Sequence, residues 1–199
     1  MKYKKFIITL ALGLIVSNTV FADITHTVVK GDTMWKIANK YEVGLSEIKG
    51  ANSHIKNPDL IYPGDKLNIP LVDSKVIEYE KRVVELVNVE RSKKGLKPLS
   101  VDWQLSRVAR IKSQDMKDKG YFSHESPTYG SPFNMMKSFG ISYRFAAENI
   151  AKGQKTPEAV VSSWMNSSGH RANILNSNYS KIGVGYVESG NYWTQMFTG

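Results

Sequence analysis

The 199-residue chain has no cysteine. Disulfides and thiolate metal sites are therefore excluded, and the fold must stand on its apolar core. Histidine is scarce too, with four residues in all: His26, His54, His124 and His170. Long apolar runs are nearly absent. The main one is Phe6 to Val16, shorter than the roughly 20 residues that span a bilayer. Lys2, Lys4 and Lys5 precede it, and Val20-Phe21-Ala22 offers small residues where a signal peptidase reads. The pattern predicts a secretory signal at residues 1–22 and no transmembrane segment once it is cleaved. A secreted chain without cysteine reads as bacterial rather than eukaryotic. The net charge is +9, and loss of the three signal lysines leaves +6, carried mainly by residues 72–199. No basic run or array of stacking aromatics accompanies that charge, which argues against nucleic acid as a partner. An anionic wall polymer or lipid surface is the partner class it fits.

Residues 25–71 read as one small unit. "HTVV" (His26 to Val29) predicts a strand, and Gly31 a turn. Asp32 or Thr33 is placed to cap a helix, with the cap assigned to Asp32. Met34, Ile37, Ala38 and Tyr41 have helical spacing, and Ser46 is placed to cap a second helix. "NPD" (Asn57 to Asp59) is a turn, and "IYPGDKLNIP" (Ile61 to Pro70) a turn followed by a strand. The order is β-α-α-β. His26 and His54 read as surface residues.

The stretches "HTVVKGDTMWKIANKY", "LSEIKGAN" and "LIYPGDKLNIP" resemble a LysM domain. The resemblance implies binding of a glycan containing N-acetylglucosamine, peptidoglycan or chitin-like. It also implies a groove in which Gly31, Asp32, Thr33 and Met34 face Asn57, Pro58, Leu60 and Ile61. Such a protein would be secreted and associated with the cell wall. A single copy implies weak binding, suited to localisation.

A short linker, residues 72–76, leads to a larger domain at 77–199. Val76 to Lys93 predicts an amphipathic helix, with Val76, Val83, Leu86, Val87 and Glu90 on its stripe. Ser100 is placed to cap the next helix, whose stripe is Leu105, Val108, Ala109, Lys112 and Met116. Ser131-Pro132 and Thr156-Pro157-Glu158 start two more helices. At the end, Ile182, Val184 and Tyr186 alternate, Ser189-Gly190-Asn191 turns, and Tyr192, Thr194 and Met196 alternate. That is a β-hairpin. Helices early and strands late define an α+β domain. Trp164, Tyr186, Trp193 and Phe197 are expected in the core. In "WMNSSGHRANIL" a Ser-Ser-Gly break is expected to end one helix, and its glycine turn to aim His170.

Here "VNVERSKKGLKPLSVDWQLSRVAR", "YFSHESP", "AENIA", "VVSSWMNSSGHRANILN", "YSKIGVGY" and "YWTQMF" resemble the CAP superfamily, in its cysteine-free bacterial form. The resemblance implies a three-layer α-β-α sandwich. It also implies a cavity with two histidines and two glutamates, which map to His124, Glu148, His170 and, where the second glutamate is expected, Ser167. His124 and His170 would be the ligands of a divalent cation such as zinc. His124, Glu148 and His170 would be the catalytic group of any hydrolase. The missing carboxylate weakens both ideas. Arg171 reads as a structural brace. Ser123 lacks the strand-turn-helix elbow of a serine hydrolase. Three functions therefore stay open: a wall-bound protein presenting a ligand- or partner-binding CAP domain, a metal-assisted wall hydrolase or peptidase, and a lipid or sterol carrier.

Overall fold

In a computed structural model of the chain, residues 22–199 are described. The signal-peptide expectation, apart from Ala22, lies outside them. No helix among the described residues is long and apolar enough to cross a membrane.

The first unit is β1 (Ala22–Thr27), α1 (Met34–Tyr41), α2 (Leu45–Ala51) and β2 (Lys66–Leu71). The two strands pair antiparallel, Ile24 opposite Ile69 and His26 opposite Leu67. Met34, Ile37, Ala38, Ile48, Leu67 and Ile69 bury together as its core. The cap of α1 is Thr33, whose hydroxyl accepts from Lys36 N, and Asp32 has another task. Its carboxylate accepts from Val29 N at 3.0 Å and from His26 Nε2 at 2.9 Å. His26 is thus buried between Asp32 and the Tyr41 hydroxyl, not exposed. His54 is exposed. Ser46 caps nothing: α2 starts at Leu45 behind Gly44. Asn52, buried at the end of α2, brackets β2 by donating to Asn68 O and accepting from Asn68 N.

Only Val72 and Asp73 separate β2 from α3 (Ser74–Ser92). Asp73 caps that helix. Its buried stripe includes Glu80 and Arg91, whereas Glu90 is only partly buried. Then come β3 (Ser100–Val101), α4 (Trp103–Asp118), α5 (Pro132–Ser138), β4 (Ala146–Lys152), α6 (Pro157–Asn166), α7 (Ser168–Ile174), β5 (Lys181–Val187) and β6 (Tyr192–Thr198). Asp102, not Ser100, caps α4, and Ser100 belongs to the short strand. Thr156 and Ser131 cap α6 and α5 as the sequence predicts.

The sheet order is β3-β5-β6-β4, with β3 parallel to β5 and the rest antiparallel. The hairpin of β5 and β6 matches the alternating pattern at the end of the chain. Helix α4 packs on one face of the sheet, and α3 and α6 on the other, giving an α+β fold with an α-β-α sandwich. Trp164, Tyr186, Trp193 and Phe197 are all buried in one core cluster.

Beyond Ile182, the outer side of β5 has no strand partner. Glu80 covers it. Its buried carboxylate accepts from Tyr186 N at 3.1 Å and takes two bonds from Arg110 Nε, at 2.9 and 3.0 Å. Helices α3 and α4 are thereby tied around the sheet edge. Burial pushes the Glu80 carboxyl up to about 6 despite the Arg110 charge and the Tyr186 N–H. The folded state therefore holds this proton more tightly than the unfolded state. The stability it contributes is full below about pH 4.5, the ordinary value, and is lost as pH rises through 6. The expected size is about 2 kcal/mol, from 1.36 kcal/mol per pH unit. Glu148, also raised by burial, adds a slope of the same sign. Urea unfolding of Glu80→Gln between these pH values should show a flatter dependence than wild type. Equal slopes would show that Glu80 does not titrate in that window.

Candidate functional site

The groove of the first unit lies between the loop entering α1 and the turn before β2. It encloses about 190 Å³ and is lined by Asp32, Thr33, Met34, Pro58 and Ile61, together with Trp35, Leu45 and Asp59. Five expected residues are thus brought together. Gly31 stands outside the lining, at φ +92°, with its carbonyl accepting from Lys36 Nζ. Asn57 organises the turn by accepting from Asp59 N, and Leu60 is exposed beside it. Trp35 was missed by the sequence reading. It is 66% exposed and sits off the apolar face of α1. A Trp off the apolar stripe of Met34, Ile37, Ala38 and Tyr41 is the signal that could have found it, because an indole face packs against the apolar face of a sugar ring. The bond from Val29 N, then that from His26, holds the Asp32 carboxyl below the usual carboxylate range. Asp32 therefore stays ionised and keeps the loop in shape.

The second site is at the opposite edge of the large sheet from Glu80, on β4. The sequence reading did not mark "AENIA" as a strand, because its residues are small or polar. The segment is nonetheless buried on both faces. Neighbouring residues on a strand point to opposite sides. Glu148 points to the α4 side, where His124 Nδ1 meets its Oε1 at 2.8 Å. Asn149 points to the other side, where its amide donates to His170 O and Gln195 Oε1. Its carbonyl oxygen accepts from Asn173. Helix α7 thus lies along the β4 edge, with His170 on it.

Burial pushes the Glu148 carboxyl up, against the opposing hydrogen bond from His124 and the charge of Lys112. Burial, and then the nearby His124, holds His170 below the usual imidazole range. When Glu148 is ionised, it accepts from Nδ1 of His124, whose ring is half-exposed. The second oxygen, Glu148 Oε2, is buried without a protein partner.

The break before α7 is a single residue, Ser167, at φ −98° and ψ 125°. Gly169 lies inside α7 and makes no turn, so Ser167, not glycine, sets the direction of His170. Arg171 braces the junction by donating to Met165 O. Ser123 accepts from Glu125 N in a turn, and no base is bonded to it.

The loop carrying His124 is held from beneath by groups the sequence reading did not assign. Lys112 is fully buried on α4 and donates to His124 O at 2.8 Å and to Tyr121 Oη at 3.2 Å. Burial lowers its amine, against the pull of Glu148, Asp115 and Glu125. Asp115, one turn on, accepts from Ser126 and Thr128, each at 2.7 Å, and from Tyr121. Burial opposes its ionisation, but the three hydroxyls outweigh that and hold its carboxyl low. The clue was visible: a lysine sat on an otherwise apolar stripe.

His124 and His170 offer two imidazoles, and Ser167 stands where a carboxylate was expected. Among the described residues, no group of three or more His, Cys, Asp or Glu side chains could hold a metal ion. That donor set falls short of the three protein ligands of a catalytic zinc.

A β-α-α-β unit with a groove, joined to an α-β-α sandwich with a His–Glu pair at the sheet edge, defines the class. The sequence model of the cysteine-rich secretory protein family, CAP, matches residues 84–198, and the LysM model matches residues 26–70. The chain belongs to the CAP family and carries a LysM domain. It is 72% identical over 126 residues to the uncharacterized protein YkwD of Bacillus subtilis, covering 63% of this chain and 49% of that one. It is 39% identical over 70 residues to the probable peptidoglycan endopeptidase LytE of Bacillus subtilis, covering 33% of this chain and 20% of that protein. Among solved structures it resembles an extracellular protein containing an SCP domain from Bacillus anthracis. The TM-score is 0.60 at 34% identity, covering 68% of this chain and 47% of that one. The chain spans at most about half the length of these relatives.

Proposed function

We propose that the protein is a wall-associated, extracellular binding protein. Its LysM groove holds a glycan containing N-acetylglucosamine, such as peptidoglycan, and its CAP domain is presented there for a ligand or partner. The observation that carries this reading is the groove: a loop fixed by Asp32, an apolar wall at Ile61 and an exposed indole at Trp35. Loop backbone supplies the donor and acceptor an acetamide needs, and Ile61 suits its methyl. The name of LytE, a probable peptidoglycan endopeptidase, agrees in placing a relative at the wall. Binding rather than hydrolysis fits the CAP site, because its donors stop at two imidazoles and one buried carboxylate.

The test is co-sedimentation with purified peptidoglycan. Wild type should pellet, and Trp35→Ala should weaken the affinity about fivefold or more, from the roughly 1 kcal/mol or more that an aromatic anchor supplies. Trp35 is exposed, so its loss leaves the fold intact. Equal pelleting of both proteins would refute the groove as the glycan site.

A further inference from the structure

The two units meet across a cleft of about 940 Å³ that the proposed function does not use. One wall is the solvent-facing stripe of α3, carrying Glu78, Lys81 and Glu85. Trp103 and Arg110 of α4 line it too, with Tyr41 and Glu42 at the end of α1. The geometry is fixed rather than incidental. Only two residues link β2 to α3. Arg107 of α4 also grips Glu47 of α2 with two bonds, at 2.7 and 2.8 Å, and Ser46 with a third at 2.9 Å. Gly44 makes room for this grip, since a Cβ there would lie 2.1 Å from Arg107 Nε. Junctions between domains are a preferred place for ligand sites.

We infer that this cleft is a second binding site for a neutral, polyhydroxylated polymer: a further stretch of the glycan strand that occupies the LysM groove. The inference rests on the glycan reading above for its polymer class. Three observations select that class. The charges of the cleft mostly pair among themselves, Arg82 with Glu85 and Glu158 and Arg110 with the buried Glu80, which leaves Glu42 and Glu78 against Lys81. A strongly anionic polymer or a basic peptide would meet both signs, whereas hydroxyl groups donate to the carboxylates and accept from the cations. Trp103 is half-buried at the cleft and offers its indole to a sugar face. Finally, the groove and the cleft lie at opposite ends of α1. Met34 and Trp35 line one, and Tyr41 the other. Eight residues of helix place them about 12 Å apart. A strand of several sugars is long enough to engage both, and linked engagement multiplies affinity without new contacts in the groove. A single LysM copy thereby gains the avidity that repeated copies would otherwise supply.

The experiment is calorimetric titration of the full chain with N-acetylglucosamine oligomers, a trimer against an octamer. Wild type should bind the octamer about a hundredfold more tightly than the trimer. Trp103→Ala should bring octamer affinity down about fivefold or more and leave the trimer unchanged. Glu78→Ala, at an exposed position, should act in the same direction and keeps the test valid if Trp103→Ala disturbs α4. If both variants keep wild-type octamer affinity, the cleft is not a site, while trimer binding leaves the groove reading intact. If Trp35→Ala leaves trimer binding unchanged, the groove reading itself fails, and the inference falls with it.

Discussion

Gly185→Ala should destabilise the CAP domain by about 4 kcal/mol or more, a large share of the roughly 5–15 kcal/mol that holds a domain folded. Helix α4 packs directly on β5 through Gly183 and Gly185. A Cβ at Gly185 would lie 2.1 Å from both Ala109 C and Arg110 N, and one at Gly183 2.3 Å from Leu105 C. These neighbours are backbone, so no rotamer change relieves the overlap, and the helix must lift away. Lifting it would break the Ser113 bond to Gly185 O and separate Arg110 from Glu80. Urea unfolding followed by tryptophan fluorescence measures the loss. Gly169→Ala is the control. It lies inside α7, where a Cβ meets nothing within 4 Å, and should be neutral or stabilise by up to about 1 kcal/mol. If Gly185→Ala unfolds with the wild-type midpoint, α4 does not lie where described.

The second large effect is expected from Arg91→Met, about 3–5 kcal/mol. Arg91 is 1% exposed and has no acidic partner within ion-pair distance among the described residues. Its guanidinium donates instead to backbone carbonyls: Lys97 O at 2.9 Å, and Ile174 O and Asn176 O at 2.8 Å each. Burial lowers its very high pKa, but the group stays charged. The carbonyls belong to the loop after α3 and to the end of α7, so one side chain pins the helix that carries His170. Methionine fills similar volume but donates nothing, which strands the buried Ile174 carbonyl and two partly buried ones. Arg91→Lys should recover only part of the loss, because one ammonium cannot reproduce the planar fork. The His170 imidazole signals in a proton–nitrogen spectrum should shift or broaden in Arg91→Met. A variant with wild-type stability and an unmoved His170 would overturn this role.

Local rules carried the sequence reading a long way. The hairpin of β5 and β6 followed from strict alternation, and the starts of α5 and α6 from Ser131-Pro132 and Thr156-Pro157. Its errors share a cause. Asp32, Ser46 and Ser100 all look like helix caps, yet Thr33 and Asp102 do the capping and α2 has no side-chain cap. Several hydroxyls and carboxylates in a row satisfy the local rule equally well, and the competing partner of each lies elsewhere in the chain. His26 is buried because Tyr41, fifteen residues on, supplies a hydroxyl. The strand β4 was invisible because its small and polar residues carry none of the alternation that marks β5 and β6.

The sequence by itself determined the cysteine-free core, the order of most elements and the residue types of both sites, since these depend on composition and spacing of a few residues. It also brought out Ser167 in place of a carboxylate. Only the tertiary structure decided which sites are assembled. It tied His124 to Glu148 across 24 residues, hung the His124 loop on the buried Lys112 and Asp115, and opened a cleft between the two units through Arg107 and Glu47. The physical reason is burial. A charged side chain becomes a positioning group only once it leaves water and must find its partner, and that partner is chosen by how the layers pack.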